Sequence, residues 1–170
     1  MELHGPLTQL LASNLPHEVM HVVLAMHFGR PVPRWADEGI AVLAESEQEQ
    51  RNHDVRAREL LNAGRAIRLS TLFRMTDYPR DMIVLYAQGH SVCRFLLTRP
   101  PAAGDDTPAA RRAALLAFLD RGVRENSAES WARAAKEVYG FDSPDALEQA
   151  WIDWLRDTPG RPDRIPAGQP

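Results

Sequence analysis

Apolar residues recur along this chain at three- and four-residue spacing and nowhere in sustained alternation, so it reads as a succession of helices. The clearest stripe is Met82, Leu85, Tyr86, Gly89, Val92, Cys93 and Leu96, which predicts a helix over residues 80–98, ended by Arg99-Pro100-Pro101. Another set, Val19, Val22, Val23 and Met26, predicts a buried helix running to Phe28. Gly29 stops it, and Pro31 and Pro33 keep the following loop extended. Upstream, Leu3, Leu7, Leu10 and Leu11 have helical spacing; Pro16 either opens a new helix or kinks a continuous one. Further helices are predicted over residues 35–48, with Ile40, Leu43 and Ala44 inward, and over 53–63, with Val55, Leu60 and Leu61 inward. Ile67 and Leu69 suggest a short extended piece, and Leu72-Phe73 a short turn of helix. Helices over 108–120 and 127–139 follow, the second stopped by Gly140. The last begins with Ser143 as cap and Pro144 at the first helical position, and buries Leu147, Trp151, Trp154 and Leu155. From Thr158 onward the Pro- and Gly-rich composition predicts a disordered tail, which leaves residues 1–157 as one domain and 158–170 outside it.

Composition narrows the function. A chain of 170 residues with 44% hydrophobic and 25% charged residues is of ordinary globular type, long enough for one proper core. A net charge of −3 gives no basic field for nucleic acid or an anionic membrane. No apolar run approaches the roughly 20 residues of a membrane-spanning helix, and the first residues lack the pattern of a signal peptide. Cys93 is the only cysteine, which excludes an internal disulfide and a thiolate metal cluster; on its apolar stripe it reads as an inert small hydrophobe. Nothing fixes the compartment. His4, His27 and His53 read as ordinary polar or partly buried histidines, His90 as surface or core, and Trp131, Trp151 and Trp154 as core.

The candidate chemistry begins at His17-Glu18-Val19-Met20-His21. On a helix, positions i and i+4 share a face about one turn apart, so both imidazoles can reach one metal ion. Glu18, about 100° further round, is placed to handle a water rather than to bind the metal. This is the H-E-x-x-H zinc signature, with the glutamate as general base. A catalytic zinc needs a third protein ligand and an open position. Fourteen residues after His21 begins Trp35-Ala36-Asp37-Glu38-Gly39-Ile40-Ala41-Val42-Leu43-Ala44-Glu45, and an acidic residue on that returning helix is the natural source. Glu38 falls in its first turn, where Asp37 is also favoured by the helix dipole. Glu45 lies seven positions on along the same face, suited to receive a ring N–H of a ligand histidine.

These motifs resemble those of the gluzincin metallopeptidases, in particular aminopeptidase-N-type catalytic domains and the smaller peptidase-MA-like bacterial domains. Their second motif is similar to W-x-(N/D)-E-G-x-A-x-x-x-E, matched here by Trp35, Asp37, Glu38, Gly39, Ala41 and Glu45. The resemblance implies Zn²⁺ held by His17, His21 and Glu38, with Glu18 as general base. It extends to Tyr86-Ala87-Gln88-Gly89, similar to the Y-x-x-G segment whose tyrosine steadies the oxyanion, with Gln88 where the aminopeptidases usually have lysine. It also covers the closing helix around Ala146–Leu155. The implied fold is mainly α, a zincin-like helical domain around the H-E-x-x-H helix. The sheet that relatives place before that helix is absent or minimal in this chain, which is accordingly expected to be part of a longer one. The G-x-M-E-N stretch that reads a free amino terminus is missing, so aminopeptidase activity is not implied. The expected substrate is a peptide or protein. The alternative is a zinc-holding module without turnover.

Overall fold

A computed structural model describes residues 6–157, and the tail expected over 158–170 lies outside the described residues, as do Leu3 and His4. The fold is mainly helical, and no strand occurs among the described residues. A short helix α1 (Leu7–Gln9) runs through a wide π turn (Leu10–Asn14) into α2 (Leu15–Phe28) without a break. Of the two roles open to Pro16, the structure takes the continuous path: the Leu15 N–H reaches back five residues to the Leu10 carbonyl, absorbing an extra residue just ahead of the proline. Gly29, at φ 61°, closes α2 in the left-handed conformation that glycine adopts without strain.

The helix expected over residues 35–48 and its successor from 53 are divided differently. Helix α3 spans Arg34–Val42 and α4 spans Glu47–Asn62, with the break at residues 43–46. Ser46 explains the shift: its hydroxyl accepts from the Glu49 N–H at 3.4 Å, and Glu47 and Glu49 in the first turn favour a helix start there. The extended piece expected at Ile67 is irregular and leads into the short α5 (Leu69–Leu72). There the buried Gln88 amide takes the place of a neighbouring backbone, accepting from Ile67 N–H at 2.8 Å and donating to Ile67 C=O at 2.5 Å. Then come α6 (Met82–Thr98), α7 (Pro108–Val123), α8 (Ala128–Tyr139) and α9 (Pro144–Asp157).

Helix α6 is the axis of the molecule, buried from Val84 to Leu96 except at Tyr86 and Arg94. It crosses α3 so closely that a Cβ on Gly39 would run into the Gly89 backbone, and one on Gly89 into the Trp35 carbonyl. Beside the crossing, Trp35, Phe73, Phe118 and Trp131 form an aromatic cluster with centroids 5.0–6.3 Å apart. Trp151 is buried, and its ring N–H donates to the Ser91 hydroxyl at 3.0 Å, while Trp154 is only partly buried against the same core.

Helix α2 departs from expectation. Val19, Val22, Val23 and Met26 face outward, exposed by between 49% and 80%, and Leu24 is the only buried residue of the helix. The helix docks along His17, Met20, His21, Leu24 and Phe28 instead. An apolar flank on each side makes the hydrophobic pattern ambiguous, and only packing decides which flank finds a partner.

Candidate metal centre

Helices α2 and α3 pack against each other through the two histidines and the start of α3. Residues 17 and 21 fall one turn apart on the docked face of α2, with ring centroids at 4.8 Å. Pro33 turns the chain into α3, so that Asp37 and Glu38 lie in its first turns opposite those imidazoles. Glu38 is only 3% exposed; its Oε2 faces His17 Nε2 at 3.4 Å and His21 Nε2 at 3.7 Å. One ligand atom from each of His17, His21 and Glu38 lies within 4.8 Å of the other two.

The opposite ring nitrogens are already engaged. His17 Nδ1 donates to Glu45 Oε1 at 2.6 Å, and His21 Nδ1 donates to Asp37 Oδ1 at 2.8 Å. Carboxylates behind the imidazoles fix their tautomers, so both Nε2 atoms turn toward Glu38. Buried Oε2 has no well-aligned hydrogen bond. A divalent cation fits this donor set: two imidazole nitrogens and one buried carboxylate oxygen converge within 4.8 Å of one another.

The electrostatics have the same sense. The His17 pKa is raised to about 9 by its contact with Glu38 and then by Glu45, against the opposing effect of burial. That of His21 is raised by the hydrogen bond to Asp37, again against burial. For Glu38, burial pushes upward, but the contacts of His17 and Tyr78 and the charge of His21 together bring the carboxyl below its ordinary value. The site therefore collects positive charge around a buried carboxylate, as protons or as metal.

Glu18 is half-buried one residue past His17, close enough that its charge helps raise the Tyr86 hydroxyl pKa, though burial and Glu38 contribute more. The Tyr86 ring stacks beside His17, with centroids 6.3 Å apart and planes 21° apart. Thus the structure brings His17, Glu18, His21, Asp37, Glu38, Glu45 and Tyr86 into one place, from α2, α3, the turn after α3, and α6.

One group was not anticipated. Tyr78, in the loop before α6, donates its hydroxyl to Glu38 Oε1 at 2.8 Å. No periodic signal marks it, since a loop residue is placed by the whole fold. Behind Tyr86, His53 stacks on the same ring at 6.4 Å, and fully buried His90 faces Asp54 at 3.2 Å, with Asp54 also paired to Arg94. His90 is thus core, its ring facing the Asp54 carboxylate.

Comparison with protein families, with curated proteins and with solved structures found no match to this chain.

Proposed function

We propose that the protein is a zinc-dependent metallopeptidase of gluzincin type. The observation that carries this reading is the convergence of both imidazole Nε2 atoms on the unpartnered Oε2 of Glu38, while both Nδ1 atoms are held by carboxylates. His17, His21 and Glu38 would hold Zn²⁺, which when bound supplies Lewis acidity to a substrate carbonyl and lowers the pKa of water toward ~7.

The chain's own residues do the rest. Glu18, with no ligand role at its angle on α2, accepts the proton of the attacking water and delivers it to the leaving amine, so one water and one peptide bond become a carboxylic acid and an amine. Tyr86 donates its hydroxyl to the oxygen on which negative charge develops. A high hydroxyl pKa, produced chiefly by burial and the Glu38 charge, keeps this donor protonated at neutral pH. Glu45 and Asp37 hold the two imidazoles in place.

The test uses the longest available form of the protein. Elemental analysis is expected to give about one zinc per chain, and none in His17→Ala or His21→Ala. Casein hydrolysis is expected to fall to background in Glu18→Gln with zinc content unchanged, and by ~10²–10³ in kcat in Tyr86→Phe. A protein that binds zinc yet cleaves nothing, with or without Glu18, would favour the zinc-holding module. One that takes up no zinc at neutral pH would end both readings.

A further inference from the structure

The two oxygens of Glu38 meet different neighbours. Oε2 faces the imidazoles, and Oε1 accepts from Tyr78 at 2.8 Å. Tyr78 belongs to no helix, and the residue is 43% exposed, so helix packing does not hold it. What holds it is Arg34, the first residue of α3, whose guanidinium lies 4.7 Å from the centre of the Tyr78 ring. Arg34 also faces Asp37 at 3.6 Å, and Asp37 is the carboxylate that orients His21. One cation therefore braces the partners of two candidate ligands.

We propose that Tyr78 is a positioning residue of the metal centre, its hydroxyl occupying Oε1 so that Glu38 presents Oε2 alone to the metal. This rests on the metal-centre reading above. A carboxylate free at both oxygens can rotate about its terminal torsion, turn away, or close on a cation with both oxygens. A hydrogen bond on one oxygen removes that freedom and leaves a fourth position clear. Tyr78 acts on Glu38 from the rim through Oε1, while Tyr86, stacked between His17 and His53, also approaches the Glu38 carboxylate from α6.

Tyr78→Phe isolates the hydroxyl, because the ring and its contact with Arg34 remain. Zinc affinity of the full chain, measured by competition with a chromophoric chelator, is expected to fall 10- to 100-fold, the usual effect of losing a group that orients a ligand. The far-UV circular dichroism of the metal-free protein is expected to stay at the wild-type value, with its melting temperature lowered by only a few degrees for the lost hydrogen bond. With Co²⁺ in place of zinc, the visible absorption of Tyr78→Phe is expected to move toward the weaker bands of a higher coordination number as the freed oxygen closes on the metal. Wild-type affinity and an unchanged cobalt spectrum in Tyr78→Phe would overturn the inference alone. A wild-type chain that binds no metal would overturn it together with the reading on which it rests.

Discussion

At the scale of single residues, the site depends on which nitrogen of each imidazole is committed. Glu45 and Asp37 take the Nδ1 atoms, so the Nε2 atoms, which face Glu38, are the ones that would exchange a proton for a cation. The sign of the pH dependence follows. In metal-free protein His17 is raised from 6.5 to about 9, chiefly by Glu38 and then Glu45. Its contribution to folding stability is therefore complete below 6.5 and is lost as pH climbs through about 9. Metal binding has the opposite slope, because the ligand must first give up that proton. Calorimetric zinc titrations in buffers of different ionisation heat are expected to show close to one proton released from His17 at pH 7, with His21 adding to it and the total falling as pH passes about 9. Binding heats that do not depend on the buffer would contradict this. The spacing of His17, Glu18, His21 and Glu38 was readable in the sequence because each sits on a helix, where number fixes angle, whereas Glu45 reaches His17 from the turn after α3. Tyr78 was not, since its place is set by a loop and by the Arg34 side chain.

At the scale of elements, two helix faces that look alike in sequence have opposite fates. The glycine-lined crossing of α3 and α6 admits no added atom: a Cβ at Gly89 meets the Trp35 carbonyl, and backbone cannot yield as a side chain can. Gly89→Ala is expected to cost about 3 kcal/mol, the upper end of overpacking penalties. Met26, 80% exposed on α2, is expected to tolerate replacement by Lys within ~0.5 kcal/mol. Urea unfolding of the two variants measures both. A large loss from Met26→Lys would mean that the outward flank of α2 is covered. The pattern Val19, Val22, Val23, Met26 announced a helix with an apolar face, but it carried no information about what lies opposite. The break between α3 and α4 was misplaced for a similar reason. Residues 35–62 contain neither proline nor a second internal glycine, and the decisive signal was the Ser46 hydroxyl acting as cap.

At the scale of the whole molecule, the candidate metal centre joins a weakly docked helix, α2, to firmly docked ones. Helix α6 buries eleven of its residues, whereas α2 buries only Leu24, with Met20 and Phe28 partly covered. Fully burying one leucine contributes about 1.5–3 kcal/mol, so much of what holds α2 in place is polar. These ties are His17 to Glu45 and His21 to Asp37, with Ser13 of the preceding π turn bonded to Ser46 at 3.2 Å. Such a helix opens locally at a cost well below that of global unfolding. A metal bound by two residues of α2 and one of α3 would close that opening, since it binds only the docked arrangement. Zinc at a hundred times its dissociation constant adds about 2.7 kcal/mol, which corresponds to roughly 100-fold slower exchange. Hydrogen exchange of the metal-free protein is therefore expected to be much faster in α2 than in α6. Zinc is expected to slow α2 by up to that factor while leaving α6 and α7 nearly unchanged. Equal protection of α2 and α6 without metal, or a zinc effect spread evenly over the chain, would show that α2 is held by something other than the site it carries.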